Sequence, residues 1–255
     1  MFITNKRTEL PKTIKLDNFT VEIVDKFKLL GVTLDQSLNF NDFVAGLASA
    51  VTKKTFAINR LFFLSFDTKL QFFKTFILPY FDFGLSLIIY FSKTAIDRLA
   101  RNYYHSLVRL FKFKLNNIPL DDINKLLSQH GLLSFEHRFI LKLSKFSANV
   151  IHCPYAPSDL KKLLVQPEQN SQHNFRESTI QLISSDKFTS QYGEWTFQNF
   201  FANFYNKIKE NRFLYTITDF KEYNIQLMKN LDIIVADSLK IFRKLAININ
   251  LSFFN

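Results

Sequence analysis

At Asn41 the spacing of apolar residues changes from every second position to every third or fourth, and this switch constrains the fold more than any other feature of the chain. Before it, Ile14 and Leu16 alternate with polar residues, the turn-prone pair Asp17-Asn18 follows, and Phe19, Val21 and Ile23 share one face. That is the pattern of an antiparallel hairpin. A third strand is expected over Phe27 to Leu34, with Gly31 in its middle marking a bulge or a close approach of another backbone. After the switch, Val44, Leu47, Ala48, Val51, Ile58 and Phe62 fall on one helical stripe broken only by Thr55. Five glycines and six prolines in 255 residues are few for a β-barrel or a nucleotide-binding α/β fold, which use many tight turns. With 47% hydrophobic residues the chain can bury a real core. The expected class is mainly α: a small N-terminal antiparallel β hairpin or sheet, a helical bundle, and a helical C-terminal extension. The 31 phenylalanines, beside abundant Lys, Asn and Ile, are consistent with AT-rich coding and carry little weight as aromatic contacts.

Two further helices complete the expected bundle. Asp67 is a plausible N-cap for the second, which contains Leu78, Pro79, Phe83 and Gly84; there Pro79 removes a backbone donor and kinks the helix, while Gly84 lets a neighbour approach. Ser92 can cap the third, burying Ile96, Leu99, Ala100, Tyr103, Leu107, Leu110 and Phe111 and turning Arg98, Arg101, His105, Arg109 and Lys112 outward. On the first helix Lys53 and Arg60 lie opposite the apolar stripe, with Ala50 and Ala57 on the same face. Beyond residue 115, Asp121-Asp122 can cap a helix ending at His130-Gly131. Residues 154–195 read as a polar linker with one short helix, and Phe197 to Ala246 as two helical pieces divided near Thr216 to Asp219. Phe197, Phe200, Phe201 and Phe204 are expected to clamp these pieces back onto the bundle. The expected organisation is 1–40, 41–115 and 116–255.

A formal charge of +11 and a pI near 9.6 favour polyanionic partners, nucleic acid first and anionic membrane second. The single cysteine, Cys153, excludes an intramolecular disulfide framework and a Cys-rich zinc knuckle. No secretory signal pattern opens the chain, so an intracellular setting, nuclear or cytoplasmic, is expected. The apolar run Phe72 to Phe91 is interrupted by Lys74, Pro79, Asp82 and Gly84, well short of the roughly 18 clean residues a membrane span needs.

The run FKLLGVTLDQSLNF, Phe27 to Phe40, resembles the primer-grip strand and thumb entry of reverse transcriptases of the non-LTR, LINE or jockey-like kind. Its grip-like residues are Phe27, Leu30, Gly31 and Val32, and Leu34-Asp35 with Leu38-Asn39-Phe40 matches the family's turn into the thumb. Many members have a histidine where this chain has Asp42. Met1 to Arg7 is similar to the last palm strand, Leu78 to Gly84 to a Leu-Pro-x-x-x-Tyr-Gly signature with Phe83 in place of tyrosine, and Leu132 to Arg138 to a Leu-Leu-Pro-x-x-x-Arg segment. The resemblance spans about residues 1 to 145. It implies RNA-directed DNA synthesis with Mg²⁺ and deoxynucleotides for the whole family protein, and a thumb helix lying along the template-primer duplex.

The residues for that chemistry are missing from this sequence. Polymerases hold two metal ions with an aromatic-x-Asp-Asp turn and one further aspartate. The only Asp-Asp pair, Asp121-Asp122, follows Pro119-Leu120 and comes almost a hundred residues after the grip-like run instead of before it, so it reads as a helix cap. His130 and His137 could share a face only if Gly131 does not end the helix, and His152-Cys153 stands alone. No Walker loop, dinucleotide fingerprint, His-Glu-x-x-His or Gly-x-Ser-x-Gly occurs.

The expected protein is therefore a C-terminal polymerase fragment, inactive alone, with no metal or cofactor of its own and the N-terminal polymerase part as its missing partner. It is expected to bind RNA-DNA or DNA duplex without sequence preference through the phosphate contacts of Lys53, Lys54, Arg60, Arg98, Arg101, Arg109 and Lys112. The alternatives are a non-catalytic helical interaction module and a decayed retroelement remnant.

Overall fold

The computed structural model describes residues 1, 11–112, 120–164, 197–209 and 220–241. Apart from Met1, the segment similar to a last palm strand lies outside the described residues, as does the division near Thr216 to Asp219. The chain divides after Ile123 into two compact units, the first of which holds the β part and the first helices.

The N-terminal β structure is two separate hairpins. Strands β1 (Thr13–Leu16) and β2 (Phe19–Glu22) pair antiparallel around Asp17, which takes a positive φ of 50°. Strands β3 (Lys26–Leu29) and β4 (Val32–Asp35) pair with Phe27 opposite Leu34 and Leu29 opposite Val32. This corrects the expected single strand over Phe27 to Leu34. Gly31 is no bulge: Leu30 and Gly31 have φ values of 47° and 88°, the two left-handed positions of a type I′ turn that folds the run back on itself. A Cβ on Gly31 would stand 3.1 Å from the Phe83 ring, so the hairpin tip rests on that side chain.

Between hairpin and helix lies a strained turn. Leu38 and Phe40, neither of them glycine, adopt φ values of 51° and 57°, a conformation that costs each about 1–2 kcal/mol. The buried Asp35 carboxylate offsets that cost by accepting hydrogen bonds from the Ser37 amide (2.9 Å), the Ser37 hydroxyl (2.7 Å) and the Asn39 amide (3.3 Å). Phe40 is then buried against Phe91, ring centroids 5.6 Å apart. Asn39 Oδ1 accepts the Asn41 amide and opens α1 (Asn41–Arg60). Asp42, in the first turn where a carboxylate suits the helix dipole, meets Lys26 Nζ at 2.6 Å.

Three helical passes form the first unit. Ser65, and not the expected Asp67, caps α2 (Phe66–Phe72), because its hydroxyl accepts the Thr68 amide. A π turn over Phe73–Ile77 leads into α3 (Leu78–Asp82), and the wider turn places Pro79 at a helix start, where its missing donor is not needed. A 3₁₀ turn over Leu85–Tyr90 follows Gly84 and precedes α4 (Lys93–Phe111), which Ser92 caps as expected. The core holds Val44, Val51, Ile58, Phe73, Ile77, Phe81, Ile96, Ala100 and Tyr103, with Phe81 edge-on to Tyr103 at 5.1 Å. Phe62, in phase with the α1 stripe, lies past the end of the helix and is exposed, whereas Thr55 is buried.

The second unit is built on α6 (Phe135–His152). Helix α5 (Leu120–Gln129), with Asp121-Asp122 in its first turn, ends before Gly131 at φ 63°. Helices α7 (Ser158–Leu164), α8 (Phe197–Lys209), α9 (Phe220–Lys229) and α10 (Leu231–Ile241) all touch α6. The last expected piece is thus two helices, broken at Asn230. Phe200, Phe201 and Phe204 are buried in this unit, Phe201 against Phe146 of α6 at 5.2 Å; their clamp is onto α6. His137 bridges α6 and α10 through Asp232 at 2.7 Å, while its other ring nitrogen meets Ser134 Oγ at 2.6 Å. Ser134 is buried and caps α6 by accepting the His137 amide, so the trio is a helix clamp.

Two outcomes follow from the first unit. A Cβ at Gly84 (φ 75°) would lie 2.9 Å from the buried Phe43 ring, so Gly84→Ala should lose about 2–4 kcal/mol in urea unfolding. Burial pushes the Asp35 carboxyl up, but its hydrogen bonds from Ser37, Asn39 and Phe40 outweigh this and leave it below the usual carboxylate value. A lowered folded value stabilises above the unfolded one and is lost as pH falls through it. The thermal midpoint should therefore drop on acidification below about pH 4, and Asp35→Asn should remove most of its share of that drop.

Candidate nucleic-acid interface

Helices α1 and α4 run side by side in the same direction, because α2 and α3 carry the chain back between them. The residue pairs that touch show it: Ser92 Oγ donates to Asn41 Oδ1 at 3.1 Å, Thr52 Oγ1 to Asn102 Oδ1 at 3.1 Å, and Thr55 Oγ1 meets Ser106 Oγ at 3.0 Å. The last of these rungs is buried. One of its two hydroxyls donates across the rung while the other donates to a carbonyl of its own helix, Val51 or Asn102, so each buried hydroxyl has a partner.

Beside this seam the exposed strips of both helices join into one face. On α1 the strip holds Ser49, Lys53, Phe56 and Arg60; Ala50 and Ala57, expected there, are half-buried. On α4 it holds Arg98, Arg101 and His105, with Lys112 exposed just past the helix end. The strips meet where the Arg109 guanidinium lies 3.9 Å from the centre of the Phe56 ring. Arg109 is half-buried and its Nη1 has no hydrogen-bond partner among the described residues, and the ring face supplies electrostatic compensation. At the other end a cleft of about 320 Å³ is lined by Asn41, Val44, Thr94, Ala95, Arg98 and Arg101. No carboxylate lines it. Arg101 Nε donates to the Asp97 carbonyl of its own helix, at 3.3 Å.

Of the seven expected phosphate contacts, five are exposed: Lys53, Arg60, Arg98, Arg101 and Lys112. Arg109 is committed to Phe56, and Lys54 faces the other way, 5.1 Å above the Tyr80 ring of α3. The grip-like residues cluster around a hairpin tip: Leu30 is 90% exposed, Phe27 is half-exposed, Gly31 is the turn and Val32 is half-buried. Leu78 is buried, Pro79 exposed, and Phe83 lies between Gly31 and the Phe43 ring, whose centre is 5.9 Å from its own. Asn41 and Thr94, which line the cleft, cannot be picked from the sequence because the cleft forms where two helices meet; their local signal is their position at helix starts.

Among the described residues, no group of three or more His, Cys, Asp or Glu side chains is placed to hold a metal ion. Asp121-Asp122 lies in the first turn of α5 and not in a turn between strands, so these residues do not fit the Mg²⁺ pair of a polymerase. Nor is any described helix long and apolar enough to cross a membrane; Phe72 to Phe91 is split among the π turn, α3 and the 3₁₀ turn. No protein-family model, curated protein or solved structure matches this chain.

His105 reports on the face. Burial, and then the Arg109 guanidinium, hold its imidazole below the ordinary value of about 6.5. Bound phosphates would favour the charged ring. In an NMR titration the His105 resonance should have its midpoint below the ordinary value in the free protein and move upward with a polyanion present, and polyanion affinity should rise as pH falls from 7 to about 5.5.

Proposed function

We propose that this chain is part of an RNA-directed DNA polymerase resembling those of non-LTR, LINE or jockey-like retrotransposons, and that it holds template-primer duplex without synthesising DNA on its own. The observation that carries the reading is the joined basic face of α1 and α4, reached directly from the hairpin whose tip is Leu30-Gly31. A face about 30 Å long with separated cations suits a run of backbone phosphates. Base-specific recognition would need bidentate side chains directed at groove edges, and the reading assigns none. The partner is an RNA-DNA or DNA duplex, together with the polymerase part that carries the catalytic aspartates.

A second reading is a non-catalytic helical interaction module. The half-exposed Phe27 and Leu29 and the exposed Leu30 favour it, since an apolar hairpin tip suits a protein partner.

Binding of a labelled RNA-DNA hybrid across a salt series separates the two. If Lys53, Arg60, Arg98 and Arg101 each meet a phosphate, the logarithm of affinity should fall with the logarithm of salt with a slope of about −4. The quadruple reversal K53E/R60E/R98E/R101E should abolish binding while leaving the far-UV spectrum intact, because all four side chains are exposed. Weak binding that ignores salt would overturn the duplex reading.

A further inference from the structure

At the far end of the α1–α4 pair from the cleft, the chain turns from α1 to α2 through Leu61-Phe62-Phe63-Leu64. Phe62 and Phe63 are 76% and 70% exposed, and their rings meet edge to face at 5.8 Å and 86°. Two adjacent phenylalanines this bare contribute nothing to the core, whereas Leu61 and Leu64 on either side are half-buried. The turn is well fastened. The Leu61 amide closes α1 on the carbonyls of Ala57 and Ile58, the Leu64 amide bonds Leu61 O at 3.1 Å, and the buried Lys69 donates its Nζ to Phe62 O at 3.3 Å.

Two exposed cations lie at this end of the helix pair. Because the helices are parallel, their C-terminal ends lie together: Arg60 and Lys112 are exposed, Arg109 stacks on the half-exposed Phe56, and Phe66 meets Phe111 at 5.4 Å. Aromatic faces set among cations stack unpaired bases while the phosphates between them are neutralised. Duplex, with its bases already stacked on one another, would leave the rings unused.

We propose that Phe62 and Phe63, just after Arg60 and at the same end of the helix pair as Lys112, form a stacking platform for unpaired bases of single-stranded nucleic acid. The platform shares Arg60 and Lys112 with the phosphate face proposed for duplex, but its two rings belong to no part of that face, so their role stands or falls separately. Its turn is held in place before binding, so little ordering is left for the ligand to drive.

The test compares the full chain with F62S/F63S and F62Y/F63Y against labelled oligo-deoxythymidine, a blunt RNA-DNA hybrid, and vesicles of phosphatidylserine and phosphatidylcholine. Since stacking is worth about 1–3 kcal/mol per base, F62S/F63S should weaken oligo-deoxythymidine binding about 10- to 100-fold, with F62Y/F63Y restoring it and the thermal midpoint unchanged. Hybrid affinity should change less than about twofold. Oligo-deoxythymidine binding that is absent, or equal in all three proteins, overturns the proposal, as does an F62S/F63S effect confined to vesicles. Loss of hybrid binding in the wild-type chain with the single-strand effect intact would overturn the duplex reading alone.

Discussion

The parallel contact between α1 and α4 organises the first unit. Two helices that point the same way need a connection that returns the full length of the pair, and α2, the π turn and α3 supply it as the third side of the bundle. Polar rungs set the register along the seam: Asn41 with Ser92, Thr52 with Asn102, Thr55 with Ser106. An apolar seam of leucines and valines would tolerate sliding by part of a turn, but the hydroxyls of the buried Thr55–Ser106 rung have acceptable partners at one offset only. Everything on the outer face inherits that offset, including the meeting of Arg109 with Phe56 and of Asn41 with Arg98 and Arg101.

How much of this was legible in the sequence depended on the range of the interaction. The change of period at Asn41, the Ser92 cap and the buried stripes of α1 and α4 are local and were readable. Gly31 was misplaced in mid-strand because a Leu-Gly turn lacks the usual Asn-Gly signal, and its contact with Phe83, far along the chain, is invisible to local pattern. Asp67 and Ser65 are both good capping types two residues apart, and geometry chose the serine. Phe62 kept the helical period after the helix had stopped, and a period records phase without recording where a helix ends. Asn230 broke a helix without the glycine or proline that usually marks a break.

The site divided in the same way. Exposed cations at helical spacing could be picked from the sequence, and five of the seven expected are exposed. Which cations face each other, and which are taken up by aromatic rings, could not be picked. Lys54 and Arg109 differ from their neighbours only through Tyr80 and Phe56, which arrive from other segments. Single-helix reasoning finds charge, while pairing between helices decides whether the charge is available to a ligand.

The β3–β4 hairpin is fastened at both of its ends. Its root is set by the Asp35 turn, with Leu38 and Phe40 locked in uncommon conformations, and its tip is seated on Phe83 through Gly31. A load on Leu30 is transmitted at the tip to Phe83 and so to Phe43 of α1, and at the root to Asn39 and Asn41, the latter also a wall of the arginine cleft. Whatever presses on the hairpin therefore pushes on the same helix that carries the basic face, through a short turn held by the Asp35 carboxylate.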